Sequence, residues 1–263
     1  MQKSINDVII IKEEENKIIF ELNDINIPYA KILRDVVYTR VPTMAINEIH
    51  VIKNTSSLPY ELIAQRIELI PIRANAELFT YYDGINHTDD DTLRFDLYKR
   101  GNDEYFSISL QTEVLSGDLK WIPNQSPDRN VGVADENYVI MTLLRGQKIE
   151  LNCYATKGIG QYHSKFSPVS IFVYEKLEEK QALIKIDQIA QYPELSRKNQ
   201  LQELTINDLS IFYPRSSFRF KMETKGQMPP RQILEIGLEL TNEIMDQPYR
   251  ERKKDIPFPG YLY

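Results

Sequence analysis

The sequence predicts an α+β protein on the strength of three observations. Segments rich in β-branched and aromatic residues recur along most of the 263 residues. Strongly amphipathic helical patterns occur near both ends of the chain. The composition is that of a globular protein, with 42% hydrophobic and 27% charged residues, and a chain of this length can bury a sizeable core. If the two ends belong together, the middle of the chain is an insert.

The N-terminal part is predicted to form a β-hairpin followed by a helix. Segments 8–12 and 17–22 carry the strand pattern and are separated by a polar turn. Asn26 is a candidate helix cap, and Pro28 lies in the first turn, where a missing N–H costs nothing. The helix ends before Pro42, because the residue before a proline is pushed out of the helical region. The apolar residues of this helix form one stripe, which consists of Tyr29, Ile32, Leu33, Val36 and Val37.

The middle of the chain is predicted to be mostly β. One short helix is predicted over 59–67, with Leu62, Ile63 and Ile67 facing inward. Strands are predicted at 48–52, 93–98, 105–110, 138–144 and 149–155. Because Cys153 shares one face of the last strand with apolar residues, we interpret it as a buried apolar residue and not as a nucleophile.

Strands and one long helix are predicted for the C-terminal part. The strands are 169–177, 209–213 and 218–223. The helix begins at Pro230, and its apolar stripe consists of Ile233, Ile236, Leu240 and Ile244. The tail 247–263 combines prolines with many charges and is expected to be extended or poorly ordered.

Charge and cysteine content exclude several classes of protein. The chain has 32 Lys and Arg against 38 Asp and Glu, a net charge of −6, which argues against a free-standing nucleic-acid binder. Cys153 is the single cysteine, so neither an intrachain disulfide nor a cysteine-rich metal site can form. The histidines, His50, His87 and His163, have no ligand spacing. We therefore expect no metal and no cofactor. Since no apolar run approaches the roughly 20 residues of a membrane span, and no signal peptide is visible, we expect a soluble intracellular protein.

Two segments resemble reactive or binding sites only superficially. The triplet Asp89–Asp91 carries oxygen donors for a divalent cation, but its polar surroundings indicate a solvated acidic loop. Segment 157–163 contains Gly-x-Gly without the third glycine or the helix of a nucleotide site. We interpret its glycines as a tight turn with positive φ that projects Lys157, His163 and Lys165 outward. The common hydrolase, P-loop and metalloprotease motifs are absent, so no catalytic residue is predicted.

Three motifs occur in order along the chain. Residues 40–46 read Arg-Val-Pro-Thr-Met-Ala-Ile, and they are followed by Asn-Thr-Ser at 54–56 and by the helical segment 61–72. Residues 157–169 read Lys-Gly-Ile-Gly-Gln-Tyr-His-Ser-Lys-Phe-Ser-Pro-Val, and 218–244 read as strand, glycine and terminal helix. In this order they resemble motifs of the alpha-like subunits of multi-subunit DNA-directed RNA polymerases, the family of the archaeal D subunit and the eukaryotic third-largest subunit.

The resemblance implies a discontinuous architecture. Family members have a dimerisation domain, a sheet plus two helices, made from both ends of the chain, here 1–41 and 170–246. An inserted, mostly β domain interrupts it, here 42–169, and 247–263 remains as a tail.

The resemblance also implies a function, that of a non-catalytic assembly subunit of a DNA-dependent RNA polymerase. Such a subunit pairs with a smaller alpha-like subunit and forms the platform on which the two large catalytic subunits assemble. Further expected partners are the large subunits, chiefly the second-largest, and the small polymerase subunits. No sequence-specific DNA contact and no membrane are expected. The protein would work in the nucleus of a eukaryote, or in the cytoplasm or virion for an archaeal or viral polymerase.

Two sets of site residues are implied by the resemblance. The partner interface would consist of Tyr29, Ile32, Leu33, Arg34, Val36, Val37, Ile233, Ile236, Leu240 and Ile244. The subunit-docking loop would consist of Lys157, Gly158, Gly160, His163, Lys165, Phe166 and Pro168. Alternatively, the two helical stripes pack only on their own sheet; we expect each helix to do both, because a sheet shields only one side.

The chain also departs from the family pattern. Arg34 is kept in the first helix, but Asp35 stands where a second arginine is usual. Gln65 stands in place of a histidine and Glu68 in place of a glycine. The metal-binding cysteines of some members are missing, which groups this chain with the metal-free members.

Two other functions remain open from the residues alone. One is a binding module that keeps the alpha-like fold outside a polymerase. The other is a stand-alone enzyme that uses Asp89–Asp91 or the 157–165 segment on an acidic substrate, although no nucleophile–base pair supports it.

Overall fold

The structure is a computed structural model. It describes residues 3–102, 111–123, 128, 130–177 and 215–246. The predicted strands 105–110 and 209–213 and the predicted tail 247–263 lie outside the described residues.

The described residues form twelve strands and three α-helices, an α+β structure. The strands are β1 (Val8–Glu14), β2 (Lys17–Ile25), β3 (Pro42–Asn54), β4 (Ile72–Arg73), β5 (Thr92–Arg100), β6 (Gln111–Leu115), β7 (Leu119–Trp121), β8 (Gly132–Val133), β9 (Val139–Leu144), β10 (Lys148–Ile159), β11 (Val169–Lys176) and β12 (Ser216–Thr224). The helices are α1 (Ile27–Thr39), α2 (Tyr60–Glu68) and α3 (Pro230–Asp246). Among these helices, none is long and apolar enough to cross a membrane.

The chain divides into two compact units. The first contains described residues 3–41, 169–177, 215–224 and 229–246. The second contains described residues 42–102, 111–123, 128, 130–168 and 225–228.

The first unit is an antiparallel sheet with two helices. Its strand order is β1-β2-β12-β11, and the predicted hairpin of β1 and β2 is confirmed. Alternate residues of the central strands are fully buried, and Phe20 stacks on Phe220 with ring centroids 5.0 Å apart. The two helices pack against each other and against this sheet.

Local signals set the beginning of α1. The Asn26 side chain accepts a hydrogen bond from the Tyr29 N–H at 2.9 Å, which confirms the predicted cap. Pro28 occupies the first turn of the helix.

The second unit is built on the antiparallel sheet β3-β10-β5-β7, with two smaller two-stranded sheets, β4-β8 and β6-β9. Its core contains the inward residues of these strands, and Cys153 is fully buried among them, as predicted. In α2, Ile63 and Ile67 are buried, but Leu62 is exposed. The prediction for Leu62 is wrong, because it lies about 100° around the helix from Ile63 and off the face that packs on the core.

Candidate interaction surfaces

The predicted glycine turn is confirmed at Gly160, where the half-buried turn residue is followed by a Tyr162 N–H that donates to the Ile159 carbonyl at 3.0 Å, but it is wrong for Gly158 and for positive φ. Gly158 lies inside β10, opposite Thr43 of β3, and among the described glycines positive φ occurs at Gly84, Gly146 and Gly226. The absence of a side chain at Gly158 serves packing instead, because the Phe166 ring occupies the space. A β-carbon on Gly158 would lie 2.6 Å from Cε1 and Cζ of that ring.

Phe166 is an internal residue of the second unit. Its side chain is 2% exposed, and its carbonyl accepts a hydrogen bond from the Thr43 hydroxyl at 2.6 Å. The Phe166 side chain is therefore covered within the chain, although the resemblance places it in the docking loop. Pro168 is buried as well.

Lys165 is also internal, which corrects the prediction that it projects outward. Its ammonium donates to Asn47 Oδ1 at 2.9 Å and approaches Glu68 Oε2 at 3.3 Å. Burial lowers the pKa of Lys165, and the neighbouring Glu68 carboxylate opposes that shift.

Lys157 is half-buried and reaches back into its own unit. It donates from Nζ to the Phe79 carbonyl at 2.8 Å, and the same ammonium lies 5.1 Å from the Tyr81 ring centroid. Burial lowers the pKa of Lys157. The prediction that Lys157 projects freely outward is therefore wrong.

His163 is exposed, as predicted, and it begins the short turn Ser164–Phe166. Its Nδ1 accepts from the Lys165 N–H at 3.1 Å. Together with Gln161 and Ser164, which are also exposed, it forms what we call the loop tip, residues 161–164. Of the predicted docking residues, the structure thus leaves His163 at the surface.

Segment 225–228 packs beside this loop. The Lys225 ammonium donates to the Ser164 carbonyl at 3.1 Å, and the Gln227 side chain donates to the Lys165 carbonyl at 3.4 Å. Gln227 is 1% exposed, and its Oε1 has no partner among the described residues. Sequence reasoning missed this segment because its contacts depend on residues about 60 positions earlier.

The helical stripes predicted as a partner interface are mostly covered within the chain. In the first helix Tyr29, Leu33, Val36 and Val37 are buried, and in the last helix Ile233 and Ile236 are buried. The reason is that α1 and α3 pack closely on each other. A β-carbon on Gly237 of α3 would lie 2.7 Å from Val37 Cγ2.

Four members of the predicted interface keep some surface. Ile32, Leu240 and Ile244 are half-buried, and Arg34 is exposed. The Arg34 guanidinium lies 5.8 Å from the Tyr38 ring centroid. Of the ten residues of the implied interface, six are therefore covered within the chain, and three half-buried apolar residues and Arg34 keep surface that a partner can reach.

The Asn-Thr-Ser motif closes the loop after β3. Asn54 Oδ1 accepts from both the Ser56 N–H and its hydroxyl, at 2.9 and 2.6 Å. Thr55 exchanges hydrogen bonds with Lys148 at the start of β10. The motif therefore has a structural role in this chain, since it holds the turn after β3 and connects it to the start of β10.

The acidic triplet is only partly a solvated loop. Asp91 is 6% exposed, and its Oδ1 accepts from the Thr88 N–H at 3.0 Å and the Thr92 hydroxyl at 2.6 Å. Asp90 is exposed. Within the described residues, no group of three or more His, Cys, Asp and Glu side chains could hold a metal ion.

A histidine cluster on the second unit was not predicted. His87 stacks between Tyr82 and Tyr154, with centroid distances of 4.7 and 4.3 Å. Glu48 lies between His87 Nε2 at 3.2 Å and His50 Nε2 at 2.5 Å. Sequence spacing cannot reveal this cluster, because β-sheet register brings Glu48 and Tyr154 together.

Comparison with protein families matches part of the chain. A family model described as the RNA polymerase Rpb3/RpoA insert domain matches residues 45–173. This range falls on the strands and the short helix of the second unit and extends into β11.

Individual relatives cover more of the chain. The DNA-directed RNA polymerase subunit Rpo3 of Thermococcus kodakarensis is 29% identical over 273 residues, 93% of this chain and 97% of that protein. The rpac1 subunit of DNA-directed RNA polymerases I and III of Dictyostelium discoideum is 33% identical over 174 residues, 63% of this chain and 50% of the relative. The human RPAC1 subunit is 32% identical over 186 residues, 65% of this chain and 54% of the relative. The chain thus spans about half the length of the RPAC1 relatives it matches.

Proposed function

Since the chain belongs to the alpha-like family of RNA polymerase subunits, we propose that it is a non-catalytic assembly subunit of a DNA-dependent RNA polymerase. In this role it pairs with a smaller alpha-like subunit, and the pair is the platform on which the two large catalytic subunits assemble. The small polymerase subunits are further partners.

The observation that carries the proposal is the length of the match to the archaeal Rpo3 subunit. The alignment covers 97% of that polymerase subunit and 93% of this chain, so it includes both the sheet with α1 and α3 and the β-rich second unit. A match confined to one unit would support a shared domain. A match across both supports a shared role in the same kind of assembly.

The pairing surface we propose is the part of α1 and α3 that the chain itself leaves partly uncovered. It consists of Ile32, Arg34, Leu240 and Ile244. The three apolar side chains are half-buried in the chain alone, and arginine is enriched at protein interfaces. The buried remainder of each stripe holds the two helices together and presents these residues.

The second surface we propose is the loop tip, residues 161–164, as a docking element for a polymerase subunit. Gln161 and His163 are exposed and offer hydrogen-bonding groups. The residues that follow, Lys165 and Phe166, are buried and support the tip from below. A rigidly supported tip binds with a smaller loss of conformational entropy than a mobile loop.

Co-purification tests the proposal directly. The full chain, tagged and expressed at its natural level, should bring down two large chains and a smaller alpha-like chain in fixed stoichiometry, and the isolated complex should synthesise RNA. Recovery of the chain alone, or with proteins unrelated to transcription, would contradict it. Recovery with proteins unrelated to transcription would favour a binding module that acts outside a polymerase.

A further inference from the structure

A buried ion pair connects the loop below the tip to helix α2. The Lys165 side chain is 5% exposed, and the Glu68 side chain at the end of α2 is 33% exposed. The two charges lie 3.3 Å apart, Nζ to Oε2. The second polar contact of the ammonium is with Asn47 of β3, whose Oδ1 accepts a hydrogen bond from Nζ at 2.9 Å.

The other side-chain bonds from outside this loop all end on its backbone carbonyls, and one comes from a charged group, the Lys225 ammonium, which donates to the Ser164 carbonyl at 3.1 Å. The Thr43 hydroxyl donates to the Phe166 carbonyl, and the Gln227 side chain donates to the Lys165 carbonyl. Both can persist with Lys165 in another rotamer, since they involve only the backbone of the loop. The direction of the Lys165 side chain therefore depends on Asn47 and on the charge of Glu68.

We propose that Glu68 is a positioning residue that acts through Lys165 and sets the conformation of the loop tip for docking. A buried ammonium without a carboxylate is strongly unfavourable, so without the Glu68 charge Lys165 turns toward water. Its backbone belongs to the short turn Ser164–Phe166, which begins at His163 of the tip. A rotation of Lys165 therefore changes the part of the loop that we assign to docking. This inference rests on the proposed docking role.

Hydrogen exchange tests the positioning step without any partner. The amides of Lys165, Phe166 and Ser167 donate to His163 Nδ1, His163 O and Ser164 O, so they report on this turn. In the full-length chain, Glu68→Gln should speed their exchange at least about tenfold. Glu61→Gln, on the exposed first turn of the same helix, is the matched control and should leave them unchanged.

The same variants, co-expressed with the polymerase subunits, test the docking step. Glu68→Gln should weaken recovery of the complex about tenfold, whereas Glu61→Gln should not. The charge exchange Glu68→Lys with Lys165→Glu should restore both readouts, because the pair is re-formed and the Asn47 amide can turn to donate. A pair that only stabilised the fold would also be rescued by reversed charges, so the free energy of unfolding is measured on the same variants, and positioning predicts that Glu68→Gln speeds exchange at this turn more than its loss of global stability accounts for.

Three results would overturn the inference. Unchanged amide exchange in Glu68→Gln would show that Glu68 does not position the turn, whatever the complex does. Faster exchange with unchanged recovery of the complex would show that the turn does not matter for docking, while the polymerase assignment would still stand on co-purification. If Glu68→Gln does not fold, the double variant Glu68→Leu with Lys165→Met, which removes both charges, is used in its place in both experiments. Because no ammonium remains to turn toward water, this pair should keep slow exchange and full assembly; fast exchange in it would show that the turn does not depend on the charge of Lys165.

Discussion

The ring of Phe166 lies directly on the α-carbon of Gly158, so that a β-carbon at Gly158 would be 2.6 Å from the ring atoms Cε1 and Cζ. The two residues are in the same motif, eight positions apart, and the loop between them carries the exposed tip. The glycine therefore belongs to a packing contact that fixes the base of the loop. The effect of a substitution at Gly158 should therefore depend on the residue at 166, and the reverse.

Gly158→Ala is expected to destabilise the protein by about 1–3 kcal/mol, because the new methyl group overlaps the Phe166 ring. Chemical denaturation of the purified chain measures this. Adding Phe166→Leu to Gly158→Ala should recover part of the loss. Gly132→Ala is the control, since its nearest heavy atom outside the neighbouring residues, Arg73 Nη2, lies 3.5 Å from the new carbon. Equal effects at 158 and 132 would contradict the packing argument.

A second glycine contact sets the distance between the two helices of the first unit. A β-carbon on Gly237 would lie 2.7 Å from Val37 Cγ2. Helix propensity alone predicts that Gly237→Ala stabilises α3 by about 1 kcal/mol. We expect the opposite sign, a loss of about 1–3 kcal/mol from overpacking. Combining it with Val37→Ala should remove the clash, and a gain in stability from Gly237→Ala alone would contradict the close helix contact.

Local signals in the sequence predicted local structure well. Asn26 and Pro28 determine the start of α1 within a few residues, and the alternation around Cys153 identifies the buried face of β10. Both signals involve neighbours in the chain, so they can be read from one sequence.

The errors concern contacts between distant residues. Lys165 can be buried because its ammonium contacts Asn47 and Glu68, which lie 118 and 97 positions earlier in the chain. Helical periodicity showed that Leu33 and Val37 share a face, but it could not show that α3 covers that face. The proposed docking loop was therefore identified by its motif, while the division into buried residues and an exposed tip required the fold.

The buried ammonium of Lys165 predicts a dependence of stability on pH. Burial lowers the pKa of Lys165 below its ordinary value. Between the two values the unfolded chain binds more protons, so the free energy of unfolding rises with pH, and the stabilisation is lost as the pH falls through the lowered pKa. Lys165→Met should reduce the rise in unfolding free energy over the pH range just below the ordinary lysine pKa of about 10.4. Lys31→Met, at an exposed position of α1, should leave that rise intact; identical pH profiles for Lys165→Met and the unaltered protein would contradict the prediction.

Cys153 should be almost inert to alkylation in the folded protein. Burial raises the pKa of its thiol to about 12, with a smaller contribution from the Asp96 charge. The thiolate is the reactive form, so at about pH 8 iodoacetamide should react roughly a thousandfold more slowly in buffer than in urea. The control is Lys31→Cys combined with Cys153→Ala, whose exposed thiol should react at similar rates in both. Rapid labelling of Cys153 in the native protein would show that the core of the second unit opens.

The uncovered part of the helices should determine pairing, and the covered part should determine folding. Ile32→Glu combined with Ile244→Glu places carboxylates at half-buried positions, so the chain should stay folded and keep its circular dichroism spectrum. In a complex those carboxylates would be desolvated without partners, at a cost of several kcal/mol, so pairing with the smaller alpha-like subunit should be lost in sedimentation experiments. Val36→Glu, at a position 2% exposed, should instead unfold the chain. Glu239→Gln, on the exposed side of α3, should change neither property.

Two outcomes would contradict this division of the helices. If the variant with both Ile32→Glu and Ile244→Glu pairs normally, the partner surface does not include these two residues. If Val36→Glu folds and fails only to pair, the buried stripe itself opens to receive the partner.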